Sequence, residues 1–168
     1  MMNKLTKYFI AVCCCVVIVV MFIWGQSIVT FENSVNESQF LLKFVRPIYE
    51  AVFGVGTLDG YTWRKLAHVI EFFVLGVFAS LLALILVKLL WKKQFGVITV
   101  FMAILSSEIL CVTVAIIDEL IQTTNNRHPQ VSDVILDSIG ALVAIILTTA
   151  IFLLIWKVIK WRKQKKHT

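Results

Sequence analysis

The residues best equipped for chemistry fall into three runs. Lys65-Leu66-Ala67-His68 leads to Glu71. Asp118-Glu119-Leu120-Ile121-Gln122 is followed by Arg127 and His128. Asp133, Asp137 and Gly140 complete the set. On a helix, spacings of three and four residues place Arg64, His68 and Glu71 on one face and Asp118 with Gln122 on another. Asp133, Asp137 and Gly140 share a third stripe. Carboxylates beside an imidazole can move protons, hold a cation, or ligate a divalent ion that activates water. Arg127 can grip a phosphate or carboxylate through two parallel hydrogen bonds, which lysine cannot do. No HExxH or other strict metal signature is present, and neither Ser106 nor Ser107 has a histidine close by in sequence. The runs therefore point to a polar ligand-binding cluster of His68, Glu71, Asp118, Glu119, Gln122, Arg127, Asp133 and Asp137. They assign no catalytic residue, resident metal or cofactor.

The elements that must position these groups are apolar. The chain has 168 residues, 60% of them hydrophobic and only 15% charged, with a mean hydropathy of +0.90. Soluble domains are about a quarter charged. Four stretches, about 8–24, 66–90, 95–117 and 134–156, are long enough at about 1.5 Å per residue to cross a hydrocarbon core of about 30 Å. One membrane domain over residues 1–168 is expected. Lys4 and Lys7 before the first stretch resemble the start of a signal peptide, but its exit, Phe22-Ile23-Trp24-Gly25-Gln26-Ser27, has no small-x-small cleavage pattern, so a retained helix is expected.

Charge orients the bundle. The segment before the first span, the one between the second and third, and the one after the fourth hold eleven of the sixteen basic residues and none of the ten acids. Alternate loops then belong to the cytoplasm, with both termini inside. The basic tail from Lys157 to Lys166 reads as an anchor near anionic lipid. It carries no nucleic-acid-binding module, so no nucleic-acid partner is expected. Outside, Leu41, Phe44, Val45, Ile48 and Val52 fall near one helical face, which predicts an amphipathic helix lying in the outer interface, kinked or restarted at Pro47. The four cysteines form no CxxC pair or zinc spacing. The fold class is thus an all-α membrane protein: four transmembrane helices, N-in/C-in, with an outer interfacial amphipathic helix.

Plainer roles exist for the same residues. Asp133 or Ser132 can cap the fourth helix, whose positive end favours an acid. Asp118 and Glu119 lie toward the end of the third span, where the helix dipole disfavours acids, so they need a cationic partner, and Arg127 is the candidate. His68 with Glu71 can be a packing pair. Glu108 lies deeper, where Ser106, Ser107 and Thr113 can help satisfy it. Glu119 nearly shares its face, because eleven residues make almost three turns.

The pattern Lys65-Leu66-Ala67-His68-x-x-Glu71, then Asp118-Glu119-x-x-Gln122-x4-Arg127-x5-Asp133-x3-Asp137-x2-Gly140, resembles the VanZ-like membrane protein family over most of the chain. Trp24-Gly25-Gln26-Ser27 fits as well. The chain departs from the family at Asn125-Asn126, where Pro-Gly is usual, at Asp137, often Asn, and at Phe72, often Tyr. The resemblance implies a bacterial cytoplasmic-membrane protein linked to glycopeptide resistance, teicoplanin above all. It gives Gly140 a structural place. Three mechanisms compete. The cluster can bind or shield the head group of an envelope amphiphile, a lipoglycopeptide or a lipid-linked cell-wall precursor, among membrane lipids. Alternatively His68, Glu71, Glu119 and Asp137 ligate a divalent ion in an intramembrane hydrolase or transferase of such a precursor. A third reading, an ion-coupled transporter using Glu108, has too few spans in a monomer and would call for a homo-oligomer.

Overall fold

Four long helices make up most of the molecule. The computed structural model describes residues 3–28, 46–52, 54, 60–90, 96–124 and 130–165. The elements are α1 (Lys4–Ile28), α2 (described over 46–52), α3 (Gly60–Leu90), α4 (Val97–Thr123) and α5 (Val131–Lys165). All four long helices are long and apolar enough to cross a membrane. Neither of the two prolines, Pro47 and Pro129, lies inside them, so their backbone ladders run without a missing donor. Gly96 precedes α4, where its N–H donates to the Thr99 hydroxyl at 2.9 Å. Helix α2 is followed by Gly54 at φ 103°, whose N–H donates back to the Glu50 carbonyl, a conformation that suits glycine.

The helices run past the apolar stretches that predicted them. α3 begins well before Leu66, α4 continues beyond Ile117, and α5 begins before Val134 and ends beyond Trp156. With 35 residues, α5 is about 52 Å long against a hydrocarbon core of about 30 Å. These extra turns carry Arg64, Lys65, Asp118, Glu119, Gln122 and Asp133 on rigid helix rather than on loop. Asp133 and Ser132 are consequently not N-caps: α5 starts at Val131, and Asp133 sits in its first turn with its N–H on the Gln130 carbonyl at 2.9 Å. An acid in that turn still suits the dipole.

α3 is the central helix, packing against α1, α4 and α5. The core joins Val16 and Ile23 of α1, Phe72, Leu75 and Ala79 of α3, Cys111, Val114 and Ala115 of α4, and Ala141 and Ile145 of α5. α3 and α5 approach most closely at small residues. A Cβ on Gly76 would lie 2.5 Å from the Ala141 carbonyl oxygen, and one on Gly140 would lie 2.8 Å from the Val69 carbonyl oxygen. Small residues of this kind let helix backbones meet where lipid gives no hydrophobic drive for association. Deeper in, the Ser107 hydroxyl, on α4, contacts the Ala79 carbonyl of α3 at 3.2 Å.

Large apolar side chains stand exposed along all four long helices, among them Ile18, Phe22, Phe101, Ile109, Ile146 and Leu154. Water would not tolerate such a surface, whereas lipid covers it. On α2, Ile48 and Val52 are four residues apart and about 70% exposed (71% and 70%). They are the described part of the predicted interfacial face. Leu41, Phe44 and Val45 lie outside the described residues.

Candidate functional site

The polar residues gather at one end of the bundle, where α1 and α4 finish and α3 and α5 start. Asp118 is the hub. It is fully buried, and its Oδ1 accepts from the Ser27 hydroxyl at 2.6 Å. Its Oδ2 accepts from Gln122 Nε2 at 2.8 Å, the contact expected from their spacing of four. Gln122 in turn accepts from Arg64 Nη2 at 2.8 Å. A chain of hydrogen bonds thus runs Ser27–Asp118–Gln122–Arg64 across three helices. It satisfies a carboxylate at the end of α4 that the dipole alone would disfavour.

A second set adjoins it. His68 Nδ1 lies 3.7 Å from Glu71 Oε2 and 4.0 Å from Asp118 Oδ2. These are ion-pair distances when the imidazole is protonated, too long for hydrogen bonds. Lys65 Nζ donates to Asp133 Oδ1 at 2.7 Å, with 26% and 28% of the two side chains exposed. Glu119 accepts from the Gln130 backbone N–H at 3.0 Å, tying the end of α4 to the start of α5. Asp137 follows Asp133 by one turn on the stripe that continues to Gly140. It is buried, and it feels the charges of Asp118, Asp133, Glu119 and Glu71.

Seven of the eight residues expected to form the cluster, His68, Glu71, Asp118, Glu119, Gln122, Asp133 and Asp137, therefore lie at one end of the bundle. Gly140 supports them from the α3–α5 contact. The eighth, Arg127, lies outside the described residues, as does His128. The cation seen compensating Asp118 and Glu119 is Arg64, which also interacts with Asp133 and Glu71. Sequence reasoning placed Arg64 and Lys65 at this end of α3 but left both out of the cluster. Ser27 enters the sequence reading only through the resemblance at Trp24-Gly25-Gln26-Ser27, because a lone serine at the exit of an apolar helix carries no spacing signal that would put it in the cluster.

Two expectations need correcting. His68, Glu71, Glu119 and Asp137 do not converge as a metal-binding set: among the described residues, no three His, Cys, Asp or Glu side chains group closely enough to hold one ion. The hydroxyls near Glu108 do not serve it either. Ser106 and Ser107 donate to the Ala103 carbonyl and Thr113 donates to Ile109, while Glu108 Oε2 is buried without a hydrogen bond among the described residues. Hydroxyls within a helix fold back onto carbonyls of the preceding turn when no closer acceptor is held in place.

A model of the family described as VanZ/LLP1 matches residues 9–155. No curated protein and no solved structure matches the chain.

Proposed function

The chain belongs to the VanZ/LLP1 family, and from that premise we propose that it binds or shields the head group of an envelope amphiphile at the outer face of the bacterial cytoplasmic membrane. Family membership supports an association with glycopeptide resistance. Teicoplanin, a lipoglycopeptide, is the amphiphile we put first, with lipid-linked cell-wall precursors next. The basic ends of the spans, Lys4, Lys7, Lys88 and the run from Lys157, face the cytoplasm under the positive-inside rule. The polar end then faces outward, where such molecules arrive.

One observation carries this reading: the polar end does not close on itself. A network that only fixed helix packing would satisfy its own members. Here Asp118 is satisfied, yet Glu71 Oε2 is buried without a hydrogen-bond donor among the described residues. The exposed apolar faces of α3 and α5 run directly below, at Ile70, Phe73 and Val74 and at Leu136 and Ile139. A head group at the polar end would leave its acyl chain along those faces.

The test is growth inhibition in a susceptible bacterium with and without the protein. Teicoplanin tolerance should rise while tolerance to vancomycin, which lacks the acyl chain, stays unchanged. Equal effects on both drugs, or on neither, would remove the amphiphile reading.

A further inference from the structure

Among its described residues, the polar end carries more negative than positive charge. Five carboxylates meet there, Glu71, Asp118, Glu119, Asp133 and Asp137, against two fixed cations, Arg64 and Lys65. Both cations are engaged. Lys65 holds Asp133, and Arg64 is bound to Gln122 while interacting most with Glu119 and Asp118. Three of the five acids have hydrogen-bond donors: Asp118 from Ser27 and Gln122, Asp133 from Lys65, and Glu119 from Gln130.

The other two differ. Asp137 is 4% exposed, and among the described residues nothing donates a hydrogen bond to it, although it lies within electrostatic reach of the other four carboxylates. Glu71 Oε2 is buried and likewise lacks a hydrogen-bond donor among the described residues, with His68 Nδ1 at 3.7 Å and Arg64 within electrostatic reach. Buried carboxylates without donors are expensive. Their charge has to be balanced by a proton or by a cation from outside. Holding five acids around one end of a bundle makes physical sense if a positive group from outside completes it.

We propose that the site recognises a primary ammonium group on the amphiphile, placed between Glu71 and Asp137. An ammonium offers three donors and no acceptor, which is what two donor-starved carboxylates lack. A divalent ion is a poorer fit, because it needs ligands converging on one point and the described acids and His68 do not converge. A phosphate would meet net negative charge among the described residues, with Arg64 already engaged. The apolar faces beside Glu71 and Asp137, through Ile70, Val74 and Ile139, give the ammonium's chain a place to lie. This inference rests on the head-group reading above and adds the sign and chemistry of that head group.

The experiment uses the full chain in phosphatidylcholine nanodiscs, with empty discs as the baseline. Three probes share one fluorescent alkyl chain: a primary amine, its N-acetyl derivative and a phosphate. The amine should bind about tenfold or more tighter than the acetyl derivative, the scale of hydrogen bonds to charged groups. Asp137→Asn and Glu71→Gln, each checked for an unchanged thermal transition, should remove that preference, and Asp137→Glu should recover part of it. Saturable binding of amine and acetyl derivative with equal affinity would overturn the ammonium inference and leave the head-group reading standing. Tightest binding of the phosphate would do the same. If no probe binds above empty discs while the protein is folded, both fall together.

Discussion

The α3–α5 seam and the polar end above it belong to the same pair of helices, yet different forces hold them. At the seam, Gly76 lies against Ala141 and Ala144, and Gly140 lies against Val69, so backbone meets backbone with no space left over. Nothing there is charged, and the contact depends on shape. At the polar end, the described residues include five carboxylates and two fixed cations, Glu71 Oε2 is buried without a donor, and no described residue donates to Asp137. At the seam the fit is steric, whereas at the polar end Glu71 Oε2 stays buried without a donor among the described residues. The contrast separates the part of the molecule that keeps the helices together from the part available to a ligand.

Substitutions can break or sharpen that contrast, and their effects on stability should fall in a definite order. Gly76→Leu should be the most damaging. Its side chain has no room beside the Ala141 carbonyl, and forcing helices apart costs about 3 kcal/mol or more. Thermal unfolding in detergent would register the loss, and membrane abundance should drop with it. Asp118→Ala comes next. It strands the Ser27 hydroxyl and the Gln122 amide in a buried site, at about 1–3 kcal/mol for each unsatisfied group. The same melting assay should place it between Gly76→Leu and the remaining variants. Lys65→Ala removes a partly exposed ion pair and should cost about 1 kcal/mol or less. Asp137→Asn and Glu71→Gln should change stability least, because each neutralises a crowded acid that receives no hydrogen bond. Function should follow the opposite order among variants that still fold. A melting series in which Asp137→Asn fell as far as Gly76→Leu would erase the distinction between the two regions.

How much of this was legible in the sequence depended on the physics involved. Hydropathy revealed four spans because lipid imposes one composition on each. It misplaced their ends, since the backbone gains by continuing its helix through the interface, where Arg64, Asp118 and Asp133 find partners. Spacing within one helix exposed the Asp118–Gln122 contact and the His68–Glu71 pair. Partners on different helices were harder to read. Lys65 with Asp133, Arg64 with Gln122 and Ser27 with Asp118 depend on the rotation and register of whole helices, which periodicity leaves open. Arg127, the compensating cation expected from its nearness in sequence, lies outside the described residues. Gly76 gave no warning because its neighbour is a backbone oxygen on a helix far along the chain.

The most direct test of the central claim, that the polar end serves a ligand rather than the fold, is teicoplanin tolerance of cells carrying Glu71→Gln. Membrane abundance and melting temperature would be matched to wild type. The account predicts that tolerance is lost while both controls hold. Tolerance retained at equal abundance would contradict it and would return Glu71 to helix packing.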